Sequence, residues 1–267
     1  MAGMIPAALR DLIDDAALFP PGNAPLEAAV PAHRGYRQSW YEPLVGPLLV
    51  PQSRLGDLDP GRGGLRIAVI VDGDPAEVRK AVDALGPQVA VAHYESRHPL
   101  ADLAEHLAGK PVYAEIPVDE DALEAVRPTG FTPKFRTGGP TPDLFPSPAD
   151  LAAAMHGCRR RGMRFKLTAG LHRAVRHRDP VTGVRHHGFV NVLVAADATA
   201  SNAGLDETTA ILASEDAADL AARAKRLLAR PRALWTGFGS CSVSEPLQDL
   251  LDLGLLQRGL QERRDAA

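Results

Sequence analysis

The 267-residue chain has only two cysteines, Cys158 and Cys241, which is too few for a disulfide scaffold and fits a reducing compartment. It lacks a basic excess: 30 basic residues against 33 acidic ones leave a formal charge of −3, without the positive footprint that nucleic acid demands. It has no apolar run of about 18 residues, so no membrane span is expected. Its first residues (MAGMIPAALRDLIDD) carry acids where a secretory signal needs a basic start, which leads us to expect a cytoplasmic protein. The GxGxxG fingerprint of an open dinucleotide-binding sheet is also missing. Lysine is scarce: five of the 30 basic residues, namely Lys80, Lys110, Lys134, Lys166 and Lys225. What the chain has in quantity is hydrophobic residues, 45% of the whole, ample for a large core.

Short apolar runs alternate with helical patterns. Strands are expected over 16–19, 46–51, 65–72, 88–95, 111–117, 131–139, 163–170 and 232–240. Asp74-Pro75-Ala76-Glu77, Ser147-Pro148-Ala149-Asp150 and Ser242-Val243-Ser244-Glu245 read as helix starts, with a capping oxygen followed by an acid. Eight strand–helix units of about 33 residues predict an α/β fold, a single (β/α)8 barrel covering 1–267. The segment 172–232 between the last two strands is oversized and is expected to act as a lid. Within it, FVNVLVAAD is read as helix.

In such a barrel chemistry sits at the C-terminal ends of the strands. The polar groups expected there are Asp14 and Asp15, Asp72, His93 and Glu95, Glu115, Lys134 and Arg136, Lys166 and Thr168, and finally Gly239-Ser240-Cys241-Ser242. Alternation puts Lys134, Arg136 and Gly138 on one face of the sixth strand, with Lys166 and Thr168 on one face of the seventh. Phe135, Phe165 and Leu167 point the other way. Both lysines therefore turn inward on adjacent strands, about 5–7 Å apart at the backbone. Two crowded, partly desolvated amines are expected to push one pKa down, and a neutral lysine attacks carbonyls.

Lys134-Phe135-Arg136-Thr137-Gly138 resembles the K-x-x-T-G motif on the sixth strand of the deoxyribose-phosphate aldolase family, a class I aldolase barrel. Phe165-Lys166-Leu167-Thr168-Ala169-Gly170 is similar to that family's seventh-strand lysine motif. Phe238-Gly239-Ser240-Cys241-Ser242 is similar to its phosphate loop, and Ile13-Asp14-Asp15 to its first strand. The resemblance covers roughly residues 130–255 and implies a divergent Schiff-base lyase without metal or other cofactor. In it Lys134 forms the imine, Lys166 tunes it, and Glu115 or Asp14 moves protons. Arg136, Thr137, Gly138, Thr168, Gly239, Ser240, Ser242 and His172 would then bind a small anionic carbonyl substrate. The family's fourth-strand aspartate falls near Ala90 or Ala92, so its role is vacant or passes to Glu115, Asp14 or Glu95. No nucleic-acid or membrane partner is expected, and a homodimer is compatible with the sequence.

Two other readings stand beside this one. A metal-dependent lyase or hydrolase would use Asp14 or Asp15, Glu115, and imidazoles from His172, His186 and His187. A non-catalytic barrel would use the same basic mouth, with the basic flap of 172–187, to hold an anionic metabolite. Cys241 reads as a small packed residue, because no histidine is tied to it by spacing.

Overall fold

The computed structural model describes residues 4–61, 63–107 and 109–258. Eight parallel strands close into a barrel: β1 (Ile13–Asp15), β2 (Val45–Pro51), β3 (Leu65–Val71), β4 (Val89–Ser96), β5 (Val112–Glu115), β6 (Thr132–Arg136), β7 (Phe165–Thr168) and, after the antiparallel hairpin β8 (His177–Arg178) and β9 (Arg185–His186), β10 (Trp235–Ser240). β1 pairs with both β2 and β10 and closes the ring. The expected (β/α)8 barrel is the fold of the protein. No helix among the described residues is long and apolar enough to cross a membrane.

The first strand lies earlier than its apolar run suggests. It is Ile13-Asp14-Asp15, while Ala16–Phe19 leaves the sheet as a turn closed by Phe19 N–H donating to Ala16 O. Two aspartates fit a buried three-residue strand because each is paired. Asp14 points into the lumen, whereas Asp15 points outward, 3.0 Å from His33 Nδ1. Helices α1 (Leu26–Arg37), α2 (Val78–Asp83), α3 (Leu100–His106), α4 (Glu120–Val126), α5 (Pro148–Arg160), α6 (Phe189–Ala200), α7 (Leu205–Ala213), α8 (Ala217–Lys225) and α9 (Ser244–Asp252) surround the strands. Ser147 and Asp150 close a full capping box on α5, and the Ser242 hydroxyl accepts from Glu245 N–H at the start of α9.

The oversized connection is mostly core. In α6, nine residues from Phe189 to Thr199 are buried, and Phe189 stacks on Phe238 of β10 at 5.5 Å between ring centres. A helix apolar all round needs cover on its outer side, which α7 and α8 supply. The segment 172–232, expected as a lid, is thus packed helix from Phe189 onward, with the hairpin β8–β9 ahead of it.

The barrel interior is two-sided. At β2 and β3 it is lined by Leu49, Ala68 and Ile70, with Ala16 beside them. From β4 to β7 it is lined by charge.

Candidate active site

Local geometry decides which side chains enter the lumen. Lys134 and Lys166 are directly paired across β6 and β7, and both are buried, while Phe135, Phe165 and Leu167 pack outside the sheet. On β4 a bulge intervenes: Ile67 pairs with Val91 and Val69 with Tyr94, so Ala92 and His93 of β4 oppose Ala68 of β3. Val91 and Tyr94 then share the outer apolar layer, and His93 and Glu95 turn inward. Strict alternation from Val91 would have placed them outside. Gly46 of β2 makes room for the inward carboxylate of Asp14, since a Cβ there would sit 1.9 Å from Asp14 Oδ1.

The result is an unbroken row of alternating charge that crosses the lumen. Asp14 holds Lys166, and Lys166 also donates to Glu95. Glu95 Oε2 lies 2.7 Å from Lys134 Nζ, and Lys134 Nζ lies 3.0 Å from Glu115 Oε2. Glu115 Oε1 then accepts from Arg136 at 3.0 Å, with the exposed Arg97 at 3.6 Å beyond. His93 Nε2 stands 3.0 Å from Glu95 and 3.2 Å from Lys166 Nζ. The ring of Tyr113 packs edge-on against His93, with Lys166 Nζ 4.8 Å from its centre.

The electrostatics differ from those expected of two bare amines. Burial alone would lower the Lys166 ammonium, but the charges of Asp14 and Glu95 and the ring of Tyr113 outweigh it and hold Lys166 above the usual lysine range. Lys166 is thus a fixed cation. Burial alone would raise the Glu95 carboxyl, yet Lys134, Lys166 and the hydrogen bond from His93 keep it well below the ordinary carboxylate range. For Glu115, burial is outweighed by Lys134, Arg136 and Arg97, which lower it. The crowding of amines foreseen from sequence is real, but three carboxylates are interleaved with them. Glu95 lies between the two lysines and pairs with both.

Other candidate residues are placed as follows. Arg136 is half-buried at the rim beside Glu115. Thr137 is fully buried, its hydroxyl donating to Ala169 O at 2.5 Å, which ties the loop after β6 to the loop after β7. Gly138 and Gly170 meet at this crossing, where a Cβ on Gly138 would sit 2.8 Å from Gly170 Cα. Thr168 and Gly239 are register partners across β7 and β10. The Ser240 hydroxyl donates to Ser242 O, so both serines shape the loop before α9. Asp72 anchors the turn at Ser53, away from the lumen row.

The histidines expected of a metal centre do not assemble with Asp14 and Glu115. His187 is buried with Nε2 donating to Pro146 O at 2.8 Å, burial pushing it down to about 4. His186 packs between Phe145 and His177. The set with ligand-like proximity is instead Asp14, His93 and Glu95, whose donor atoms lie within 4.8 Å of one another. Lys166 Nζ sits among those atoms and already supplies the positive charge. His172 faces Cys241 and Glu245, outside the row. Sequence reasoning missed the inward turn of His93 and the pairing of His172 with Cys241; the first needs a bulge and the second a contact across 69 residues. No family model and no curated protein matches the chain.

Proposed function

We propose that the protein is a carbon–carbon lyase of the Schiff-base aldolase kind, acting through Lys134 on a small carbonyl compound that carries a phosphate or carboxylate. The observation that supports it most directly is the setting of Lys134 Nζ between Glu95 and Glu115, the latter shared with Arg136 at the rim. At rest the ammonium is held by both carboxylates. A substrate anion binding Arg136 draws that guanidinium away from Glu115 and removes one of the charges that lower its pKa. Glu115 then accepts the Lys134 proton, and the freed amine adds to the carbonyl carbon.

The carbonyl π pair moves to oxygen, which takes the proton back from Glu115. Glu115 takes one proton from the new ammonium nitrogen and passes it to that hydroxyl, whose loss as water leaves an iminium, the electron sink for breaking the adjacent carbon–carbon bond. Lys166 stays protonated and, through Glu95, fixes the field around Lys134. The similarity of residues 134–138 and 165–170 to the deoxyribose-phosphate aldolase motifs supports the same assignment. A metal at Asp14, His93 and Glu95 would first have to displace an ammonium held by two carboxylates.

The test is borohydride reduction with a panel of small ketones and aldehydes, followed by peptide mass mapping. A stable adduct on the Lys134 peptide is expected. Full turnover without any trapped adduct, lost on chelation, would refute the imine and favour a metal.

A further inference from the structure

A second nucleophile stands at the same end of the barrel. Cys241 directly follows β10, and His172 lies four residues after β7. The Cys241 sulfur is 3.8 Å from both ring nitrogens of His172, and His172 Nδ1 is 3.1 Å from Glu245 Oε2 in the first turn of α9. With Nδ1–H donated to the carboxylate, Nε2 is the nitrogen free to take a thiol proton. Thiol, imidazole and orienting carboxylate come from three separate elements, in the order that thiol nucleophiles require. All three are accessible: the His172 side chain is 25% exposed, that of Glu245 49%, and Cys241 is half-buried. Cys158 is fully buried, and burial pushes its thiol up to about 12.

We infer that Cys241, His172 and Glu245 form a thiol–imidazole–carboxylate centre that accepts acyl groups from small activated esters or thioesters. His172 Nε2 takes the thiol proton as the sulfur attacks the acyl carbon. The new S–C bond forms, the bond to the leaving oxygen or sulfur breaks, and His172 returns its proton to that leaving atom. Water reverses the charge: its oxygen bonds the acyl carbon, the C–S bond breaks, and its proton ends on Cys241 by way of His172. The start of α9 adds a favourable dipole for an anion at the sulfur.

The hydrogen bond to Cys241 is the foremost cause raising the His172 pKa; burial opposes it and Glu245 adds to it. His186 on the hairpin is electrostatically coupled to this ring. None of this depends on the role of Lys134.

Iodoacetamide alkylation followed by intact and peptide mass spectrometry reads Cys241 separately, because Cys158 labels only if the protein unfolds. Alkylation of wild-type Cys241 is expected to stay fast at pH 6.5. His172→Asn takes away the base within reach of the thiol and should slow the reaction at pH 6.5 by at least about 10-fold. Glu245→Gln should fall between the two. With p-nitrophenyl acetate, one acetyl group is expected on the Cys241 peptide. Equal alkylation rates of Cys241 in the wild type and His172→Asn at pH 6.5, or an acetyl group placed elsewhere, would overturn the inference.

Discussion

Replacing Glu95 by glutamine removes one charge from the middle of the lumen row while keeping shape and volume. In the native barrel three carboxylates (Asp14, Glu95, Glu115) balance three cations (Lys134, Lys166, Arg136). Glu95 is fully buried and serves both lysines, so the variant leaves two buried ammonium groups with one carboxylate each and a net surplus of one positive charge. Removing one partner of a buried ion pair costs about 3–5 kcal/mol. For a domain of this size that is a fall in Tm of about 6–15 °C. The sign of the pH dependence separates this cause from a packing defect. Lys134, Lys166 and His93 hold the Glu95 carboxyl well below its usual range, so its contribution is fully present above the unfolded value of about 4.3 and is lost as pH falls through the folded one. Urea unfolding of wild type and Glu95→Gln at pH 7 and pH 3 should therefore show the deficit shrinking at the lower pH. A loss under about 1 kcal/mol at pH 7, or a deficit that does not shrink on acidification, would refute the account of the row as an electrostatic unit.

Lys134→Arg keeps the ion pairs but cannot supply a neutral amine; it should fold with near-native Tm, give no borohydride adduct and lose turnover. Gly46→Ala should cost about 1–3 kcal/mol in urea unfolding, since its Cβ would collide with the Asp14 carboxylate and drive it from Lys166. His187 is buried with its pKa depressed to about 4, against about 6.5 unfolded, so its contribution is present above pH 6.5 and is lost as pH falls toward 4. The wild type should lose ~2 kcal/mol from this residue between pH 7 and pH 5. His187→Gln, which can still donate to Pro146 O, should lack that component of the slope.

The barrel was legible because parallel strands covered on both sides read as unbroken apolar runs, and because capping residues such as Ser147 and Asp150 mark helix starts locally. The inward direction of Lys134 and Lys166 followed from alternation against Phe135, Phe165 and Leu167, since β6 and β7 pair in regular register. Three things were hidden. β1 carries two aspartates, so the apolar pattern alone put the first strand at 16–19, and what makes their burial tolerable, pairing with Lys166 and His33, is visible only in the fold. The bulge in β4 inverts the facing of His93 and Glu95, which no single-strand pattern reveals. The Cys241–His172 contact joins the ends of two strands separated by three helices, and only the closed ring brings them together.

The division of the lumen into a greasy wall and a charged wall has a stereochemical consequence. Leu49, Ala68 and Ile70 face the Lys134–Glu115–Arg136 side across the barrel. A flat carbonyl compound with one anionic end and one hydrocarbon flank has a single way to satisfy both walls and the rim arginine at once. On the Schiff-base function proposed above, attack by an amine rooted in one wall would come from one face and give any bond made or broken there a fixed handedness.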